Sequence, residues 1–324
     1  MPDATDAPKA GRAKELDKFY TDEKLATLLV GVACRALGLP PATAFMDDPE
    51  GEHGKPTFVE PSAGAGAFSS QIPGCLAFDV APEGEGIARA DFLSLDPTWG
   101  HDAVAIGNPP FGKRARLAVA FVNRCAESCD AVAMVLPNTF RRYNTQTRLD
   151  DRLALVEDID LPEDGSFTFE GSPYSLRCVF QVWVRTDGAY WRDGMVDRRK
   201  RRRPPISHPD FDCWQHNATE ESRRYVDEDW ELAFWRQGYK DYTKVFTKAD
   251  DYDEVRDIVY GTNLQIFFVK PHDDEARERI LRMDIPALAA SNLSTPGFGK
   301  SEFVAEYMRI KERDEAKDKG NAAD

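Results

Sequence analysis

The feature that most constrains this chain is an apolar run that ends on two prolines: Ala103-Val104-Ala105-Ile106-Gly107, then Asn108-Pro109-Pro110-Phe111. A short uninterrupted apolar run reads as a strand buried on both faces. Two successive prolines have no N–H to give to a ladder, so the strand must stop there. An amide side chain, carbonyls without strand partners and an aromatic ring are left at its carboxyl end. In open α/β sheets that edge is where ligands bind. Acceptors beside a ring suit a flat substrate carrying an amino group.

The flanking sequence repeats the pattern. Short apolar runs near 57–60, 75–80, 87–90, 102–107, 131–136 and 155–160 alternate with turns and helix-compatible stretches, one of them at 114–129. A helix is predicted over 21–38, with Thr21 as N-cap, Asp22 and Glu23 in the first turn, and Gly38 with Pro40 as its stop. This alternation predicts an α/β, Rossmann-like, mostly parallel sheet with right-handed crossovers. Leu176 to Arg185 follows the turn Gly171-Ser172-Pro173 and is expected as a long antiparallel last strand.

Beyond Thr186 the texture shifts. Arg198-Arg199-Lys200-Arg201-Arg202-Arg203 precedes Pro204-Pro205, and residues 207–310 are rich in aromatics. The division expected is a flexible 1–17, a catalytic domain at 18–190, a basic linker at 191–206, an α+β region at 207–310 and a flexible tail at 311–324. The basic run reads either as a phosphate-binding arm or as a solvated linker. Hydrophobic residues make up 42% of the 324, enough for a packed core, while the net charge of −14 argues against coating nucleic acid by charge alone. Without an apolar leader, a membrane-length segment or a disulfide-like cysteine spacing, the chain is expected to be cytoplasmic.

A second motif stands earlier: Glu60-Pro61-Ser62-Ala63-Gly64-Ala65-Gly66-Ala67-Phe68. A strand ends in an acid, and glycines let backbone approach a ligand closely. Asp79 ends the next strand nineteen residues on, placed to bind ribose hydroxyls. Asp91-Phe92 follows the strand after that, an acid and a ring suited to an adenine. The turn lacks the dinucleotide fingerprint, because its third glycine position falls on Ser69.

Taken in order, these motifs resemble the amino-group methyltransferases that use S-adenosylmethionine, specifically the DNA adenine-N6 type. The resemblance rests on Glu60 to Phe68, Asp79, Asp91-Phe92 and Asn108 to Phe111, with Lys18-Phe19-Tyr20-Thr21 similar to the segment that packs on the cofactor's methionine end. It spans about 18–185. It implies S-adenosyl-L-methionine held by Tyr20, Thr21, Glu60, Pro61, Ser62, Gly64, Gly66, Asp79, Asp91, Phe92 and Asn108. It implies catalysis by Asn108, Pro109, Pro110 and Phe111 on an extruded adenine of DNA, without a metal. Residues 207–310 would then recognise the target. Lys113, Arg114 and Arg116 are candidate phosphate contacts, and Phe167 or Phe169 a second wall for the base. Asn-Pro-Pro-Phe or Tyr also occurs in enzymes acting on RNA adenine or guanine and on protein glutamine, and cytosine N4 is a further option, although a Ser in place of Asn108 is commoner there. A catalytically silent cofactor-binding module is the remaining alternative.

Two other signals are discounted. Pro296-Gly297-Phe298-Gly299-Lys300-Ser301 ends like a phosphate-binding loop, but Ser294 stands where the first glycine belongs. His208, Cys213 and His216 offer three ligands and no fourth.

Overall fold

The computed structural model describes residues 20–41, 56–96, 98–99, 102–162, 166–169, 172–174, 177–239, 241–290 and 296–321. The expected flexible segment 1–17 lies outside them, as do Lys18 and Phe19. The chain divides into two compact units, Met1–Arg202 and Arg203–Asp324.

The first unit holds strands β1 (Tyr20–Thr21), β2 (Phe58–Glu60), β3 (Leu76–Asp79), β4 (Ala88–Arg89), β5 (Val104–Gly107), β6 (Ala131–Pro137) and β7 (Leu153–Asp160). β8 (Phe167–Phe169), β9 (Ser172–Tyr174) and β10 (Cys178–Arg185) follow, and the helices are α1 (Glu23–Leu37), α2 (Arg116–Ser128) and α3 (Tyr143–Gln146). Seven strands form one sheet in the order β4-β3-β2-β5-β6-β10-β7. β2 to β6 run parallel, and β10 is antiparallel to both β6 and β7. The last strand is therefore antiparallel as expected, and it lies inside the sheet, leaving β7 at the edge.

Side chains alternate across β5 to build two cores. Val104 and Ile106 pack with Ala26, Leu29, Val30 and Ala33 of α1. Ala105 packs with Ala118, Val119 and Val122 of α2. Covering both faces is why the β5 and β6 sequences read as unbroken apolar runs. Strand order reverses between β2 and β5, so the chain leaves the sheet in opposite directions from these neighbours. The crevice outside their carboxyl ends is the topological switch point.

Helix α1 starts one residue later than its sequence signals suggest. The cap is Asp22, whose side chain accepts from the Lys24 and Leu25 N–H groups. Thr21 instead pairs with Phe167 in the small sheet β1-β8-β9, where its β-branched side chain is well suited. Gly38 closes the helix with φ of 70°, as read from the sequence.

The second unit is α+β. Strands β11 (Phe211–His216), β12 (Leu232–Gln237), β13 (Val245–Thr247) and β14 (Gln265–Pro271) form an antiparallel sheet in the order β11-β14-β12-β13. Its helices are α4 (Lys248–Gly261), α5 (Asp274–Leu281), α6 (Ile285–Ala290) and α7 (Lys300–Asn321). Most of the aromatics that distinguish this region are core: Trp230, Phe234, Phe246 and Phe267 are buried. Helix α7 runs through much of the expected tail, where Lys311 donates to Asp210 and Asp314 pairs with Arg282.

Candidate functional site

A cavity of about 470 Å³ opens at the switch point. Its floor is the turn after β2. Gly64 has φ of 55°, and a Cβ there would stand 3.4 Å from the Tyr20 ring, so the ring lies directly over the turn. Only glycine takes this conformation without strain and leaves that space. The Gly64 N–H donates to one Asp79 carboxylate oxygen at 2.8 Å, and the Ala81 N–H donates to the other at 2.7 Å. The Tyr20 hydroxyl donates to the Glu83 carboxylate at 2.7 Å, while the Glu83 N–H donates to the Gly64 carbonyl. The two loops are thus fastened to each other and bridged by Tyr20.

Glu60 ends β2 and is buried. One of its oxygens accepts the Ser69 N–H at 2.7 Å. Burial pushes its carboxyl up to about 7, against the pull of the Ser69 amide. Among the described residues, no cation offsets that burial.

Asp91 caps the short turn Phe92–Ser94, accepting from the Leu93 N–H and the Ser94 hydroxyl. Phe92 is buried between rings, stacked on Phe121 at 6.2 Å and on Trp99 at 6.5 Å. Phe92, Phe121 and Leu117 form an apolar wall of the cavity.

On the β5 side, Asn108 donates from Nδ2 to the Thr21 hydroxyl at 3.2 Å. The Ser62 hydroxyl donates to the Asn108 carbonyl at 3.3 Å, tying the end of β5 to the glycine-rich turn. Pro109 is buried, and Pro110 lines the cavity.

The structure brings Tyr20, Thr21, Glu60, Pro61, Ser62, Gly64, Gly66, Asp79, Asp91, Phe92, Asn108 and Pro110 around this one cavity. Others stand apart from it. Phe111 is half-buried and packs against both cores of the sheet. Lys113, Arg114 and Arg116 are exposed, in a turn where Gly112, Arg114 and Ala115 all have φ between 56° and 66°. Phe167 corrects the expectation of a second wall: it is 1% exposed and packs in the α1 core. Its place opposite Thr21 in the β1-β8 pairing turns it inward. The Phe169 side chain lies outside the described residues.

Leu117 and Phe121 were missed as cavity residues. They stand four apart on α2, hence on one face, but that spacing reads equally well as core.

Part of the basic run is engaged with the first unit. The Arg199 side chain is 3% exposed and donates to the carbonyls of Gln146, Leu149, Asp150 and Leu153. Arg201 pairs with Asp197 and Arg198 with Glu157.

No protein-family model matches the sequence, and no curated protein matches it. Among solved structures the chain is similar to a proposed RNA methyltransferase of Pyrococcus horikoshii, at 15% identity over 56% of this chain and 90% of that one, with a TM-score of 0.40. It is similar to the 23S rRNA methyltransferase ErmE at 15% identity, over 55% of this chain and 73% of that one, with a TM-score of 0.34. It is also similar to the M protein of the type I restriction enzyme EcoKI at 14% identity, over 52% and 44%, with a TM-score of 0.36. Likeness at this level leaves the reaction to be argued from the site itself.

Proposed function

We propose that this protein transfers a methyl group from S-adenosyl-L-methionine to the exocyclic N6 amino group of adenine in DNA. The observation that carries this reading is the meeting of two motifs in one cavity. Asn108 and Pro110 from the end of β5 line the same space as Glu60, Gly64, Asp79 and Asp91 from the ends of the other strands.

The cavity's chemistry fits the cofactor. Its volume of about 470 Å³ lies in the range of small-molecule sites. Asp79 and Asp91 offer acceptors for ribose hydroxyls and an exocyclic amine. Phe92, Phe121 and Leu117 offer a face for a purine. The buried Glu60 is a carboxyl that a cation would hold ionised. When bound, the cofactor supplies an electrophilic methyl group.

The chain's own residues then act on the acceptor. An aromatic amine is a poor nucleophile because its lone pair is shared with the ring. The Asn108 amide oxygen and the Pro109 carbonyl accept the amine's two hydrogens, favouring a tetrahedral nitrogen with a localised pair. Holding that nitrogen in line with the methyl group supplies the rest by proximity. A duplex base reaches such a site only when extruded, and Phe111, at the edge of the acceptor motif, would meet it. Lys113, Arg114 and Arg116 would hold flanking phosphates.

The test is transfer of tritium from labelled cofactor to DNA, RNA and protein. Label is expected in DNA, on adenine N6. Asn108→Ala is expected to abolish transfer while leaving cofactor binding by calorimetry within about threefold. Full activity in that variant would overturn the mechanism, and label confined to RNA or protein would overturn the substrate.

A further inference from the structure

Tyr20 and Thr21 make a strand of only two residues, yet it touches both halves of the cavity. Successive strand side chains point to opposite sides. Tyr20 turns to the glycine-rich turn and reaches Glu83, 63 residues away in sequence. Thr21 turns to Asn108, 87 residues away. The strand's register is fixed independently of either contact. Tyr20 pairs with Thr168 and Thr21 with Phe167, the Asp22 N–H donates to the Ser166 carbonyl at 3.1 Å, and α1 begins at once.

An amide side chain has two ends of nearly equal shape and opposite character, an acceptor oxygen and a donor nitrogen. For a substrate amine, only the oxygen is useful; the NH₂ end would set donor against donor. We propose that Thr21 is the positioning residue of Asn108: its hydroxyl accepts from Nδ2 and holds the amide group in place at the end of β5, where the substrate's amino group would meet it. Thr21 is 7% exposed, so water does not readily take over the bond. This role rests on the methyl-transfer reading and deepens it. It also separates the duties of two neighbours, since Tyr20 acts on the cofactor half and Thr21 on the acceptor half.

The test uses Thr21→Val, which is close in shape and lacks the hydroxyl, and Thr21→Ser, which restores it. In assays with adenine-containing DNA, Thr21→Val is expected to lower kcat about tenfold to a hundredfold, the scale of a misplaced reacting group. The cofactor KM is expected to stay within about threefold, and Thr21→Ser to recover most of kcat. A second readout needs no turnover. In protein labelled with ¹⁵N-asparagine, the Asn108 side-chain NH₂ pair, assigned by its loss in Asn108→Ala, is expected to move toward solvent-like shifts in Thr21→Val and to return in Thr21→Ser.

Wild-type kcat in Thr21→Val, or an unmoved NH₂ signal, overturns the proposal. So does a loss of cofactor affinity that accounts for the whole loss of rate, which would make Thr21 a cofactor contact only. If no substrate is methylated by the wild-type protein, the functional reading fails by itself, and the NMR signal still decides whether Thr21 orients Asn108. Should Thr21→Val not fold, the decision passes to Thr21→Ser, in which wild-type signal position and kcat are required.

Discussion

Asp79 accepts the Gly64 N–H at 2.8 Å, and this contact joins the end of β3 to the turn that follows β2. The second Asp79 oxygen holds the Ala81 N–H, so one buried carboxylate sets the shape of two loops. Removing it leaves two backbone donors to find new partners at the wall of the cavity. Asp79→Ala is therefore expected to weaken S-adenosylmethionine binding at least about tenfold, the equivalent of about 1.4 kcal/mol, with a smaller loss for Asp79→Asn, which keeps one acceptor. Calorimetric titration of the two variants checks the order.

Glu60 gives the site a pH dependence whose sign can be worked out. Its carboxyl is held up to about 7 in the folded protein, chiefly by burial, against an ordinary value of 4.5. Between these values the folded state binds the extra proton, so this group's contribution to stability falls as pH rises from about 4.5 to about 7 and is level above. A cationic ligand in the cavity should favour the ionised form and release the proton. Glu60→Gln is expected to flatten the fall in melting temperature between pH 5 and pH 8. It should also remove proton release on cofactor binding, measured as a buffer-dependent heat by calorimetry. An unchanged pH profile in the variant would refute the assignment.

These two acids and Asp91 illustrate what the sequence made legible. Glu60, Asp79 and Asp91 each end or follow a short apolar strand, and their spacing puts them at one sheet edge before any coordinates are known. The double proline after β5 announced where that strand stops. Contacts between distant segments could not be read in this way. The pairing of Thr21 with Phe167 depends on β8, and nothing in the local pattern of Phe167 to Phe169 says which distant segment that strand will join. That pairing moved the helix cap to Asp22 and carried Phe167 into the core. Leu117 and Phe121 looked like core because a cavity wall and a core face share one pattern. The aromatics of the second unit likewise suit a core or a binding face, and burial assigns most of them to its interior.

Tyr20 stands over the glycine-rich turn and lines the cavity. Burial, reinforced by its hydroxyl bond to Glu83, drives its pKa above the ordinary tyrosine value. The bond spans the glycine-rich turn and ties it to the loop that carries Glu83. Tyr20→Phe keeps the ring over Gly64 and removes the bond, worth about 1 kcal/mol. Cofactor dissociation is expected to speed up about threefold to tenfold, with a smaller change in association, as resolved by stopped-flow fluorescence. Equal changes in both rates would deny Tyr20 this fastening role.

The basic run divides into residues that hold the fold and residues that face water, and variants should separate them. Arg199 gives four hydrogen bonds to the carbonyls of Gln146, Leu149, Asp150 and Leu153, beside the edge strand β7. Losing the guanidinium would leave buried acceptors unmatched, a heavier cost than losing one exposed bond. Arg199→Ala is expected to reduce unfolding stability by about 3 kcal/mol, read from urea melts at constant m-value. The paired change Arg202→Ala with Arg203→Ala, at exposed positions, should leave the melt unchanged. If the run also contacts phosphates, the exposed pair is the place to see it, as a shallower salt dependence of DNA affinity. An Arg199→Ala protein of native stability would return the entire run to the role of a free basic arm.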